Sequence, residues 1–142
     1  MSVFADQGRE QLRARYRDAW QLFRAGKLLS PLDAQIAAVI AEHPEFQAAV
    51  LGEAALEDDY PAAEAGTNPF LHLGLHLALR EQVATDRPAG IAGIHRRLAA
   101  SLGSAHAAEH RMIEPLAETL WDAQRAGRTA DEQAYLRRLQ RL

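Results

Sequence analysis

Every long segment of this chain repeats its apolar residues with helical period, and its β-branched residues are too few and too scattered for the alternating runs of a strand. The fold class is therefore all-α, and the punctuation between segments counts the helices. Leu12, Tyr16, Ala19, Trp20 and Phe23 form the expected inner stripe of a first helix that stops near Gly26. Ser30-Pro31 then restarts the chain, serine as cap and proline at the first helical position, where its missing N–H costs nothing. Leu32, Ile36, Val39 and Ile40 supply the apolar side of this second helix, which ends at His43-Pro44.

Pro44-Glu-Phe-Gln-Ala-Ala-Val-Leu reads as a short third helix closed by Gly52. The acidic run Glu57-Asp-Asp-Tyr-Pro and small residues up to Thr67 follow as the longest connection. Asn68-Pro69 repeats the cap-then-proline signal and opens a helix running to about Thr85, before Asp86-Arg-Pro88 interrupts it. Ile91, Ile94, Leu98 and Leu102 mark the next helix, which Gly103-Ser104 separates from one continuing through Trp121 to Gly127, bent or strained at Pro115. Thr129-Ala-Asp-Glu132 reads as a capping box opening a last short helix that ends in Arg137, Arg138 and Arg141. The expectation is a single domain over residues 1–142, a compact bundle of six or seven helices.

The 142 residues are 48% hydrophobic and 25% charged, enough for one core burying about two-thirds of the unfolded surface. With no cysteine, disulfides, thiolate metal sites and thiol nucleophiles are excluded. No apolar run approaches the roughly 20 residues that span a bilayer, and the start lacks the pattern of a signal peptide. A cytoplasmic protein without a membrane partner is expected. The net charge is −3, yet residues 28–79 hold eight acids and no Lys or Arg, which leaves +5 on the rest. Such polarity can steer a protein partner to the acidic segment. Arg9, Arg13 and Arg17 line one side of the first helix without interleaved aromatics, so no nucleic-acid partner is expected.

Two helices each carry a histidine pair at i, i+4: His72 with His76, and His106 with His110. Residues at that spacing share a face, so each pair can present two imidazoles to one point. At about 100° per residue, His76, Leu75, Leu79 and Val83 all lie within about 60° of His72, and His110, Ile113, Ala117 and Leu120 within about 40° of His106. This places both pairs at the middle of inward faces, with the two histidine helices packed antiparallel. Four imidazoles in an apolar stripe are costly unless each nitrogen finds a partner, because an unsatisfied buried polar group loses about 1–3 kcal/mol. A shared cation satisfies them all. The plain alternative is a set of core histidines hydrogen-bonded to carbonyls or carboxylates.

Glu114, one turn beyond His110, extends a ladder His106, His110, Glu114 and adds a carboxylate at the edge of the face. Glu109 is either an alternative ligand or an acceptor that orients an imidazole. His43 trails the inward side of its helix and can complete the shell, or serve as a helix-end group that bonds the last carbonyls. His95 reads as structural or exposed, and Glu81 as a surface acid. Neither pair is His-Glu-x-x-His, which removes the glutamate base of a zinc peptidase, and neither helix carries the Glu-x-x-His of ferritin-like bundles. An imidazole-rich, carboxylate-poor set favours iron, zinc, nickel or copper, with iron first and zinc next, as one ion or as two bridged by Glu114.

Thr67-Asn-Pro-Phe-Leu-His-Leu, His76-Leu-Ala, Glu81-Gln, Pro88-Ala-Gly-Ile, Leu102-Gly, His106-Ala-Ala-x-His110, Glu118 and Trp121-Asp-Ala-Gln-Arg resemble a family of short bacterial proteins catalogued as a domain of unknown function. Ala19-Trp, Pro31-Leu and Glu42-His-Pro-Glu-Phe extend that resemblance over nearly the whole chain. It implies no activity. In layout alone the chain resembles hemerythrin-like and DinB-like bundles, which hold metals with inward histidines. The functional expectation is an imidazole-rich transition-metal site whose open position takes water, dioxygen or a small molecule for redox or hydrolytic work. The alternatives are a non-catalytic protein-interaction module and a bis-histidine haem protein, the latter recognisable by its visible absorption.

Overall fold

The computed structural model describes residues 3–52 and 68–142, with side chains from Gly8 onward. The acidic run Glu57-Asp-Asp-Tyr-Pro and the connection up to Thr67 lie outside the described residues. Among the described residues the secondary structure is helical throughout: α1 (Val3–Arg24), α2 (Pro31–Ala41), a 3-10 turn (Pro44–Phe46) leading into α3 (Gln47–Val50), α4 (Pro69–Thr85), α5 (Ile91–Leu102), α6 (Ala105–Ala126) and α7 (Glu132–Gln140). None of these helices is long and apolar enough to cross a membrane. Two compact units divide the chain, Met1–Leu73 and Gly74–Leu142.

In the first unit Tyr16, Ala19 and Trp20 of α1, Ile36, Val39 and Ile40 of α2, and Val50 and Phe70 form the core. Tyr16 stacks on Phe70 at 6.1 Å, and the Arg13 guanidinium lies 4.8 Å over the same ring. Leu12 and Phe23, expected inside, are 48% and 47% exposed. They share the angular face of Tyr16, but α1 has 22 residues and α2 only 11. At about 1.5 Å per residue, α2 covers half of the stripe and leaves its ends open.

In the second unit α6 packs on α5 and α7. Leu75 and Leu79 of α4, Ile91 and Leu98 of α5, Met112, Ile113 and Leu116 of α6, and Tyr135 and Leu139 of α7 are buried. Tyr135 also donates to Gln82 Oε1 at 2.6 Å, tying α7 to α4. Contacts between α4 and α6 advance in the same chain sense: His76 lies against His106 and His110, and Gln82 lines one cavity with Leu116 and Thr119. This differs from the antiparallel pairing expected of the histidine helices.

The caps follow the sequence closely. Ser30 Oγ accepts from the Asp33 amide at 3.1 Å, Asn68 Oδ1 from the Phe70 and Leu71 amides at 3.1 Å, and Ser104 Oγ from the Ala107 amide at 3.0 Å. Gly103, at φ +85°, ends α5 in the left-handed conformation that glycine adopts without penalty, and so lets α6 begin at once. At α7 the cap is Asp131, whose Oδ1 accepts from the Ala134 amide, rather than Thr129. A carboxylate beside a helix N-terminus is the better acceptor, because it also meets the positive end of the dipole. Helix α6 passes through Pro115 unbroken; the carbonyl left without its N–H partner belongs to Arg111, an exposed residue, and the Thr119 hydroxyl donates to the Pro115 carbonyl at 2.7 Å. Ser104→Ala removes the acceptor at the start of the helix that carries two histidines. A loss of about 1 kcal/mol in unfolding free energy is expected, read from urea denaturation.

Candidate metal centre

Within the second unit three imidazoles meet. His76 of α4 is fully buried, His106 of α6 is half-buried and His110 of α6 is exposed. The His76 and His106 rings stack at 5.1 Å with planes 11° apart, His106 and His110 meet edge to face at 4.3 Å, and His76 and His110 lie 4.9 Å apart. Each of the three offers a ring nitrogen within 4.8 Å of those of the others. The i, i+4 spacing of His106 and His110 brings their side chains together on one side of α6, as the sequence implies.

The position of that side is a correction. The buried face of α6 holds Ala108, Glu109, Met112, Ile113, Pro115, Leu116 and Thr119, so the histidine pair lies on its flank rather than at its middle. Of the stripe expected with the pair, only Ile113 is buried: Ala117 is half-buried and Leu120 is 45% exposed. Helix α6 packs on both α5 and α7, which also touch each other, and the centre of burial of α6 lies toward Met112 and Leu116. One wall of the cluster therefore faces solvent, at His110.

Glu109 is the buried acid of the site, 6% exposed. Its Oε1 accepts from His76 Nδ1 at 2.7 Å, and the Arg80 Nε–H lies 3.3 Å from Oε1 and 3.1 Å from Oε2. Burial alone raises the pKa of this carboxyl. The hydrogen bonds from His76 and Arg80, together with the Arg80 charge, outweigh burial and hold it below the usual carboxylate range. An anionic acceptor on Nδ1 keeps the ring proton there, so the lone pair of His76 is at Nε2, the tautomer a metal ligand needs. Glu109 thus takes the orienting role, one of the two that the sequence leaves open to it.

Arg80 is the residue that reading the sequence misses. A signal was available: Arg80 follows His76 by one helical turn, so both can reach a single acid on a facing helix. Glu114 is exposed, and neither Glu114 nor His72 contributes an atom to the cluster among the described residues. Glu81 is exposed, as expected. His95 is half-buried, and its Nε2 is buried with no hydrogen-bond partner among the described residues.

In the first unit His43 is fully buried and donates from Nδ1 to the Val39 carbonyl at 2.8 Å, the helix-end bond weighed for it from sequence. Its ring is parallel to Phe46 at 5.5 Å and edge-on to His72 at 5.0 Å. His72 also meets Phe46 edge-on at 5.4 Å. His72 therefore sits in an aromatic contact one turn from its partner His76. The i, i+4 geometry aligns two side chains, yet what faces each of them differs along α4.

No curated protein and no solved structure matches the chain. The family model for a domain of unknown function, DUF1841, covers residues 8–141, and the chain belongs to that family.

Proposed function

We propose that the second unit holds one transition-metal ion, iron or zinc, on His76, His106 and His110. The observation that carries this reading is the Glu109 carboxylate on His76 Nδ1, at 2.7 Å, beside two further imidazoles whose nitrogens lie within 4.8 Å. A carboxylate behind a ligating imidazole is the arrangement that fixes tautomer and ring orientation at metal sites. Nitrogens on one tetrahedral zinc at about 2.1 Å stand about 3.4 Å apart, so small ring rotations close this cluster on a single ion. The alternative of two ions bridged by Glu114 loses its bridge, because Glu114 is exposed and outside the cluster.

Three protein ligands leave a coordination position open, and the exposed His110 side gives water, dioxygen or a small substrate access to it. A bound ion there supplies a Lewis acid or redox centre suited to hydrolytic or oxidative chemistry. An all-imidazole set suits zinc as well as iron, and elemental analysis decides between them. The test is metal content of protein purified without a histidine tag and after reconstitution. About one ion per chain is expected. His106→Ala and His110→Ala should each weaken binding by more than the roughly 10–100-fold cost of losing an orienting partner. Metal-free protein that takes up none on reconstitution overturns the reading.

A further inference from the structure

We infer that Arg80 is the specificity-determining residue of this centre: by engaging both oxygens of Glu109, it keeps the carboxylate off the metal and the donor set all-imidazole. The inference rests on the metal reading above and deepens it. Glu109 lies between the two α6 ligands in sequence, three residues after His106 and directly before His110. None of its oxygens belongs to the converging set as it stands, but an anionic side chain already 2.7 Å from a ligand ring can reach the ion by turning. Its oxygens are committed elsewhere, Oε1 to His76 at 2.7 Å and Oε2 to Arg80 at 3.1 Å, with Arg80 also 3.3 Å from Oε1.

Both partners come from one face of α4, one turn apart, and the Arg80 side chain is only 27% exposed. The guanidinium is planar and permanently charged, and its one Nε–H is shared between the two carboxylate oxygens, a directed contact that the freely rotating ammonium of lysine does not fix in the same way. The consequence is chemical. Neutral nitrogen donors select zinc, copper and iron, whereas a carboxylate in the shell raises the relative affinity for harder ions such as manganese. Loss of Arg80 frees Oε2 to enter the shell.

The experiment measures dissociation constants for Zn²⁺ and Mn²⁺, each alone, by competition with a chromogenic chelator, and records the visible spectrum of the Co²⁺ form. Circular dichroism checks folding of every variant. In Arg80→Gln the Zn-to-Mn affinity ratio should fall at least about tenfold, and the Co²⁺ bands should weaken as coordination expands. Arg80→Lys should fall between that variant and the wild type. Arg80→Gln combined with Glu109→Gln should recover the wild-type ratio, because an amide brings no anionic donor. A ratio unchanged in Arg80→Gln, or an equal loss of both ions, overturns the role given to Arg80 while the metal reading stands. Wild-type protein that binds neither ion overturns the metal reading itself, and this inference with it.

Discussion

Replacing Glu109 with alanine should lower the unfolding free energy by about 3 kcal/mol at pH 7, one of the two largest effects expected in this protein. Its side chain is 8% exposed and serves two donors at once, His76 Nδ1 and the Arg80 guanidinium. Truncation removes the buried acceptor that serves a fully buried imidazole N–H and a partly buried cation. Breaking a buried charged pair from one side typically costs about 3–5 kcal/mol, and an orphaned neutral donor about 1–3 kcal/mol. Glu109→Gln keeps an acceptor for His76 and loses only the charge, so a smaller loss of about 1–2 kcal/mol is expected.

The pH dependence separates this account from simple loss of packing. Interactions with His76 and Arg80 depress the folded-state pKa of Glu109 against the opposing effect of burial. A carboxyl depressed on folding stabilises fully above its unfolded pKa, about 4.3, and that contribution fades as pH falls through the folded value. The gap between wild type and Glu109→Ala should therefore be full at pH 7 and narrow toward pH 3. Urea unfolding at both values checks it. A gap under about 0.5 kcal/mol at pH 7, or one of equal size at both, removes the relay from the account of stability.

Helix boundaries were legible because their signals are local. Ser30, Asn68 and Ser104 cap as their side chains require, and prolines sit where a missing N–H is harmless. Thr129 misled for an equally local reason, since Asp131, a stronger acceptor, stands two residues on. Facing was harder. Periodicity shows that α6 has an apolar side, but its centre depends on how many neighbours touch it, and α5 and α7 drew that centre to Met112 and Leu116. The histidine spacing did carry over for His106 and His110. For His72 and His76 it aligned two side chains whose surroundings then diverged, one meeting Phe46 and His43, the other Glu109. Arg80 was illegible by type, since an arginine on an amphipathic helix reads as surface until an acid on another helix is known to face it.

Withdrawal of metal should produce the other large effect. An ion that binds the folded chain and not the unfolded one stabilises it by about 4 kcal/mol at a free concentration 1,000 times its dissociation constant. For a chain of this size about 3 °C accompanies each kcal/mol, so excess chelator should lower the melting temperature by roughly 10 °C. The variants make the result specific. His110 is exposed and His106 half-buried, so their replacement by alanine should cost the metal-free protein no more than about 1 kcal/mol. Each variant should melt near the chelated wild type and respond little to chelator, because the ligand that converts metal concentration into stability is gone. Glu109→Ala should differ from both: it loses stability with or without metal, since its bonds to His76 and Arg80 exist in the protein alone. Identical melting of reconstituted and chelated wild type contradicts the coupling. The three imidazoles would then be a ring cluster held by α4 and α6, with Glu109 as the acceptor that makes its buried member affordable.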